Sequence, residues 1–397
     1  MFEIFAAFLI LCLLATISTY YYLNYRKPLG FDYENVWAVS LDSKQGWSDF
    51  KWTEANKSYI EQMYRELRSF EGVESVAGCD MLPFDYSNWN TGDSLPNNNL
   101  LVERTSVSDD FAKVMKLEII KGRWYEPADD ALDYFPVVIN ERLANEYFKN
   151  GEDPIGQKIL PRYEEFLSKE QKERLFRNSD KKERVIGVVK DYRKSGELEP
   201  PIYMAFRRST PADTINTSPP FHLLVRVNSA SMNGEFEEKM VKTLERIAPD
   251  WNFNARPLSK LRDHRIRETC TPLYAFGFVA GFLIIMVALG LIGVVWQNVT
   301  ARTPEIGLRR ALGASAKSIY NQIIGELLVL TAISILAGTI VVIQFPLLNV
   351  FEYLTIETYM LGLVFTILFV FTVTFLCGLY PSKLATLVQP KEDLHDE

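Results

Sequence analysis

The sequence contains few of the residues that build metal sites and disulfide frameworks. Its 397 residues include four cysteines and three histidines, with no CxxC pair and no histidine spacing typical of a metal site. Cys12 and Cys377 lie inside apolar runs, so they cannot belong to a soluble disulfide framework. Cys79 and Cys270 could pair if the middle of the chain faces an oxidising compartment. We predict no metal site and leave this one disulfide open.

Motifs of catalysis and of nucleotide binding are absent from the sequence. There is no GxSxG elbow, no HExxH helix and no G-x-x-x-x-G-K-[ST] phosphate loop. Asp109 and Asp110 directly precede Phe111, a pattern that indicates a helix start rather than a pair of catalytic carboxylates. The formal net charge is −7, without the clustered Lys and Arg that nucleic acid requires. We predict no catalytic residues, no cofactor on this chain and no nucleic-acid partner.

Long apolar runs, by contrast, are abundant. A membrane-spanning helix needs about 20 apolar residues to cross roughly 30 Å of hydrocarbon. Four charge-free runs reach that length: Ile4 to Leu23, Leu273 to Trp296, Leu327 to Phe351, and Thr358 to Tyr380. We predict four transmembrane helices.

The first apolar run could also be a signal peptide. Its length, the lack of a basic region before it, and the bulky Tyr20, Tyr21 and Tyr22 where a cleavage site needs small residues favour a retained anchor. The three tyrosines fit an interfacial aromatic belt.

Loop charges predict the orientation. The loop at residues 297–322, after the second run, holds four Arg or Lys and one Glu, whereas the loop before the fourth run holds only Glu352 and Glu357. The basic loop and both termini are therefore expected in the cytoplasm, and the long segment after the first run outside. Basic residues near positions 26 and 266 oppose this orientation, but long domains cross membranes largely regardless of charge.

The segment between the first two runs has the pattern of a mixed α+β domain. Helical spacing of apolar residues appears in EANKSYIEQMYRELRSF and GEFEEKMVKTLERIA, and strand character in stretches such as VWAVSL, FPVVIN and FHLLVRVN. We interpret Ser87 to Asn99 as a polar loop and residues 161 to 183 as a charged excursion. This domain is predicted to be a binding or mechanical module.

A short basic helix is predicted directly after the second apolar run, in TARTPEIGLRRALGASAKSIYNQI. Thr303 can cap the helix, Pro304 suits its first position, Glu305 favours its positive end, and Gly313 suits a left-handed C-terminal position. Such a helix could rest on anionic lipid or could dock a cytoplasmic protein.

The stretch RTPEIGLRRALGASAKSIYNQIIGELLVL resembles the MacB/FtsX-like permease family, the membrane subunits of type VII ABC transporters. VINERLANEYF, DPIGQKI, VIGVVKDYRKSGELEPPIYMAF and YPSKLATLVQP extend the resemblance over nearly the whole chain. It implies that the basic helix is a coupling helix that contacts an ABC ATPase subunit. By this resemblance the coupling helix runs from Thr303 to Gly313, and Thr303 is among its expected ATPase contacts. The residues that match the family motif position by position are Glu305, Gly307, Arg309, Arg310 and Gly313.

Glu326 matches an acidic residue at the membrane edge of the third span, although simple snorkelling at the cytoplasmic edge would also place it there. Gly277 and Gly281 form a small-xxx-small face for helix packing, or are merely tolerated in a membrane helix. The chain departs from the family in lacking a basic lead-in, in having Lys383 where a small residue is usual, and in its acidic tail.

The resemblance implies a permease that passes the energy of ATP, bound with Mg by the ATPase, to its periplasmic domain for export of peptides or other small molecules. Lipoprotein extraction, control of a cell-wall hydrolase and, in a different class, a membrane-anchored sensor remain open. The implied assembly is a homodimer or heterodimer in the lipid of the bacterial inner membrane, with a periplasmic adaptor and an outer-membrane channel as further partners.

These expectations divide the chain into eight segments. They are the first transmembrane helix at 1–24, the extracytoplasmic domain at 25–272, the second transmembrane helix at 273–296, the cytoplasmic loop with the coupling helix at 297–322, the third transmembrane helix at 323–346, the outer loop at 347–357, the fourth transmembrane helix at 358–380, and the cytoplasmic tail at 381–397.

Overall fold

The computed structural model describes residues 2–44, 53–85, 90–95, 98–148, 151–159, 183–210, 220–348, 350–351 and 353–385. The charged stretch of residues 161 to 182 and the acidic C-terminal tail lie outside these ranges. The chain divides into a helical unit, Met1–Asn24 with Glu268–Glu397, and an outer unit, Tyr25–Arg267.

Helices and strands follow one another along the chain. In order they are α1 (Phe2–Tyr25), β1 (Val36–Ser43), α2 (Glu54–Arg68), β2 (Val73–Cys79), β3 (Asn90–Leu95), β4 (Asn98–Val107), α3 (Phe111–Met115), β5 (Ile119–Gly122), β6 (Phe135–Asn140), α4 (Glu141–Tyr147), β7 (Glu183–Val189), β8 (Tyr203–Arg208), β9 (His222–Val227), α5 (Gly234–Ile247), β10 (Trp251–Pro257), α6 (Leu258–Ala301), α7 (Thr303–Ala311), α8 (Ala316–Val342), α9 (Gln344–Leu347) and α10 (Ile356–Ala385).

The strands of the outer unit form one sheet in the order β10-β1-β9-β2-β4-β8-β6-β7-β5, with β3 paired to β4. The four strands β10, β1, β9 and β2 are antiparallel, and α2 and α5 connect β1 to β2 and β9 to β10. This is the strand order of a ferredoxin-like unit, and we call it the first half. The second half comprises β3 to β8 with α3 and α4, and it is inserted between β2 and β9.

Helical periodicity explains how α2 and α5 attach to the first half. Each helix buries one apolar stripe, whereas its other face is polar. The residues in these stripes are Ile60, Met63, Tyr64 and Leu67 of α2, and Phe236, Met240, Leu244 and Ile247 of α5. They pack on alternate residues of β1, Trp37, Val39 and Leu41, because successive strand side chains point to opposite faces of the sheet.

The predicted polar loop from Ser87 to Asn99 is wrong. Asn90–Leu95 and Asn98–Val107 pair as antiparallel strands, from Asn90 opposite Glu103 to Leu95 opposite Asn98. Strand pairing uses main-chain groups, which every non-proline residue carries, so a strand without apolar alternation leaves no signal in the sequence.

The helical unit contains the apolar runs. Among the described residues, four helices are long and apolar enough to cross a membrane: α1, α6, α8 with its continuation α9, and α10. The helix α6 begins at Leu258, so the residues just before the second apolar run are also helical.

The first helix packs tightly on α8 and α10. Phe8 is fully buried in a cluster with Ile335 and Val370. A β carbon added at Gly338 would lie 2.4 Å from the Phe8 ring, and one at Gly362 would lie 2.8 Å from the main chain of Thr16. These glycines allow the helix backbones to approach closely.

The structure also describes the tyrosines after the first apolar run and the two cysteines whose pairing was left open. Tyr20 is buried and its ring centroid lies 5.5 Å from that of Tyr353, so it packs on protein, whereas Tyr22 is exposed. Cys79 and Cys270 are both free thiols. Burial raises the pKa of the Cys79 thiol well above its usual value, which makes this thiol unreactive.

Candidate functional site

The candidate site is the short helix α7, which connects α6 to α8. It begins at Thr303 with Pro304 in its second position. The predicted cap at Thr303 is wrong, because the Thr303 hydroxyl donates to the carbonyl of Val299 at 3.1 Å. The chain is still helical there, as the Arg302 N–H bonds to the same carbonyl at 3.2 Å, so no extended residue precedes α7 to act as a side-chain cap.

The end of α7 has the geometry that the sequence predicts. Gly313 has a φ of +99°, a left-handed conformation that glycine adopts without steric cost. Its N–H donates to the Arg310 carbonyl at 3.0 Å, and the Ala314 N–H donates to the Arg309 carbonyl at 2.9 Å. This pair of bonds is a Schellman motif, which stops the helix and turns the chain into α8.

A chain of polar contacts connects α7 to both neighbouring helices. Arg309 contacts Glu305 at 2.5 Å and donates to the side-chain oxygen of Gln322 at 2.8 Å. Gln322 donates to Glu326 at 3.1 Å, and Glu326 accepts from Arg302 at 2.9 Å. We call these five residues the polar relay. It brings Glu326 together with two of the predicted coupling residues.

The buried side of α7 is apolar. Ile306 and Ile319 are buried against each other, with Val299 and Ile323 packed around them. Gly307 is also buried, on the same side of α7. The contact between Ile306 and Ile319 holds α7 against the start of α8 independently of the polar relay.

The exposed side of α7 carries two large apolar residues. Leu308 is 62% exposed and Leu312 is 81% exposed, although both belong to types that normally bury. They stand four positions apart, so they lie on the same side of the helix axis. Arg309 and Arg310 lie in its last turn, where positive charge suits the negative end of the helix dipole. The sequence analysis did not identify these leucines as candidate contact residues. The signal available in the sequence was their helical spacing relative to Ile306, which places them on a different side of α7.

The two glycines predicted to support helix packing make no close contact with the described part of the chain. Gly277 and Gly281 are on α6, and a β carbon added at either would meet no atom of the described residues within 4 Å. Close helix packing within this chain occurs at Gly338 and Gly362 instead.

The described residues contain no group of three or more His, Cys, Asp or Glu that could hold a metal ion. What α7 offers is an exposed apolar pair flanked by arginines, on a helix held rigidly to its neighbours. Such a surface is suited to protein docking.

Comparison with known proteins identifies two matching family models. Residues 277–390 match the FtsX-like permease C-terminal region, and residues 4–243 match the MacB-like periplasmic core domain. The second match alone covers more than half of the chain.

Curated relatives are similar over large parts of the chain. A macrolide export ATP-binding/permease protein MacB of Chlorobium luteolum is 24% identical over 349 residues, which are 85% of this chain and 47% of that protein. A pyoverdine export ATP-binding/permease protein PvdT of Pseudomonas savastanoi is 22% identical over 235 residues, 58% of this chain and 33% of that protein. The chain thus spans between a third and a half of the length of these relatives.

Among solved structures, the periplasmic region of MacB from Actinobacillus actinomycetemcomitans matches with a TM-score of 0.39 and 14% identity. The match covers 58% of this chain and 92% of that one.

Proposed function

The chain belongs to the MacB/FtsX-like family of ABC transporter permeases, and we propose that it is a membrane subunit driven by an ATPase on a separate chain. One observation carries this proposal: α7 is a short helix between two apolar helices, packed on α8 through Ile306 and Ile319, with Leu308 and Leu312 exposed. An exposed apolar pair on an element fixed so firmly is expected to bind a partner protein.

The ATPase would dock on α7. Leu308 and Leu312 would enter an apolar groove of the ATPase, and Arg310 would add electrostatic attraction at its rim. Glu305 and Arg309 would hold α7 to α8 through the polar relay. Gly307 would lie in the buried part of α7, and Gly313 would end the helix through its left-handed conformation. Each round of ATP binding and hydrolysis, with Mg on the ATPase, would then move α7 together with α8.

Movement rather than a polar pore would do the transport work. The buried polar side chains Thr16, Thr331 and Thr366 each donate to the main-chain carbonyl four residues earlier. The hydrogen bond of each hydroxyl is therefore made within its own helix, and these three side chains do not form a continuous hydrophilic path. The outer unit is proposed to change conformation as the helices shift.

The cargo is proposed to be peptides or other small molecules exported from the periplasm, because the named relatives are export proteins. The permease would work as a homodimer or as a heterodimer with a related permease, with Gly277 and Gly281 as a packing face between copies. A periplasmic adaptor and an outer-membrane channel would complete the path. The basic α7 loop and both termini are proposed to lie on the cytoplasmic side of the inner membrane.

Substitution at α7 tests the docking role. The variant Leu308→Asp places a charge in the proposed apolar contact, whereas Ala316→Asp adds the same charge at the exposed start of α8, where the helix dipole favours it. Both variants are expected to insert into the membrane. Tagged wild-type and Ala316→Asp permeases should co-purify with ATP-hydrolysing activity, and Leu308→Asp should not. Equal activity with Leu308→Asp would contradict the docking of an ATPase on α7.

A further inference from the structure

One segment of the outer unit has no role in the function proposed above. Residues 190–200 connect β7 to β8, and we call them the anchor loop. The loop contacts two segments that continue into the helical unit along the chain. The first connector, residues 26–33, lies between α1 and β1, and the second connector, residues 258–267, is the first part of α6.

The anchor loop holds the first connector through Arg193, which is 4% exposed. The Arg193 N–H donates to the Leu29 carbonyl at 2.9 Å, and its guanidinium donates to the Lys27 carbonyl at 3.4 Å. Gly30 has a φ of +83°, and a β carbon there would lie 1.8 Å from the Asp191 carbonyl oxygen. The two main chains are therefore in direct contact, and only glycine fits between them.

The second connector is held by consecutive turns of α6. Arg262 donates to the carboxylate of Glu197 at 2.5 Å. One turn later Arg265 donates to the Ser195 carbonyl at 3.3 Å and approaches Glu199 at 3.5 Å. Glu197 is 5% exposed, so this contact is shielded from water and from salt.

The same loop is anchored in the second half of the sheet. The Lys194 ammonium group, which is 1% exposed, forms an ion pair with Glu103 on β4. Asp191 accepts hydrogen bonds from the Asn140 side chain at 3.3 Å and from the Arg142 N–H at 3.0 Å, at the start of α4. Neighbouring residues of one loop thus grip both connectors and the second half at once.

Chain connectivity makes this arrangement asymmetric. The first connector leads straight into β1 and the second connector follows β10, and both strands belong to the first half. A pull on either connector therefore reaches the first half through covalent bonds. The anchor loop provides a polar connection by which the same pull reaches the second half.

We propose that the anchor loop is a mechanical joint that passes movement of the two connectors to the second half of the outer domain, with Glu197 and Arg262 as its positioning pair. The proposal rests on the function proposed above, in which an ATPase supplies the movement. If Glu197 and Arg262 had a purely structural role, their substitution would change the stability of the outer domain and not its response to ATP. Buried ion pairs contribute little net stability when both charges are replaced together, so stability and transmission can be separated.

The experiment uses the full permease with its co-purified ATPase in lipid nanodiscs. Hydrogen exchange followed by mass spectrometry compares each segment with and without ATP, and ATP hydrolysis is measured in parallel. The variants are Glu197→Gln, Arg262→Gln and the double variant, which removes both charges of the buried pair. Glu238→Gln is the matched control, because it removes the exposed pair with Lys242 on α5.

In the wild type and in Glu238→Gln, ATP is expected to change exchange in both halves of the outer domain. In the Glu197 and Arg262 variants, the change should persist in β1 and β9 and become smaller in β6, β7 and α4, while ATP hydrolysis continues, because Arg193 still holds the first connector. The double variant should be no worse than either single variant, because both act through one contact.

A second-half ATP response that is as large in a folded double variant as in the wild type would overturn the joint and leave the transporter function standing. Absence of any ATP response in the wild-type outer domain would overturn both proposals.

Discussion

Arg309 on α7 donates a hydrogen bond of 2.8 Å to the side-chain oxygen of Gln322 on α8, and the same guanidinium contacts Glu305 at 2.5 Å. One side chain therefore connects the beginning of α7 to the third apolar helix. If an ATPase pushes on α7, this contact carries the displacement directly to α8, in addition to the covalent path through the turn at Gly313.

Removing the contact between Arg309 and Gln322 should separate binding of the ATPase to α7 from movement of α8. Arg309→Ala is expected to lower the ATP hydrolysis of the complex about tenfold, equivalent to about 1.4 kcal/mol of lost coupling. The thermal unfolding of the permease alone should change little, because an exposed ion pair contributes only about 0.2–1 kcal/mol. Lys317→Ala, which removes an exposed charge from the start of α8, is the control. A large loss of stability with unchanged hydrolysis would assign Arg309 a structural role instead.

Packing of the first helix depends on Gly362. A β carbon there would lie 2.5 Å from the Thr16 hydroxyl and 2.8 Å from the Thr16 main chain, which cannot move away as a flexible side chain can. Gly362→Ala should therefore destabilise the helical unit by about 1–3 kcal/mol. Gly281→Ala is the matched control, since nothing in the described residues lies within 4 Å of its β carbon. Thermal unfolding in detergent measures both, and equal midpoints would show that α1 packs elsewhere.

The stability of the outer domain should depend on the protonation of His222. Burial lowers the pKa of this imidazole from 6.5 to about 4, against the weaker opposite effect of Asp85 and Asp42. Its Nδ1 lies 3.1 Å from the Ser40 hydroxyl. Between pH 6.5 and 4 the unfolded chain binds a proton that the folded domain does not, so stability falls as the pH falls. The contribution is fully present above pH 6.5.

Urea unfolding at a series of pH values measures this effect by tryptophan fluorescence. The contribution lost on acidification is on the order of 3 kcal/mol at most, and His222→Gln should flatten that part of the profile. His264→Gln replaces an exposed histidine and should leave the slope unchanged. A slope that survives His222→Gln would assign the acid sensitivity to other groups.

Local patterns made much of the fold predictable from the sequence. Helical spacing identified α2 and α5, the charge-free runs identified the four long apolar helices, and the need for a positive φ identified Gly313. In each case the signal lies within a few residues of the feature that it predicts. The family resemblance then supplied the role of α7, which no local pattern gives.

Contacts between distant parts of the chain could not be predicted. Arg193 and Lys27 are 166 positions apart, and Lys194 and Glu103 are 91 apart, so no periodicity relates them. The cap predicted at Thr303 is wrong because a capping residue must be extended and lie just before the helix, whereas Thr303 is already the first helical residue of α7. The strand at Asn90–Leu95 was missed because it is defined by its partner and not by its own composition.

The central claim is that α7 is the docking site of an ABC ATPase. A photoreactive amino acid at position 312, where Leu312 is 81% exposed, tests it in intact cells. After illumination, mass spectrometry should identify a cross-linked chain that contains a G-x-x-x-x-G-K-[ST] phosphate loop. Cross-links to lipid alone, or labelling of this position by a reagent that cannot enter the cell, would contradict the claim.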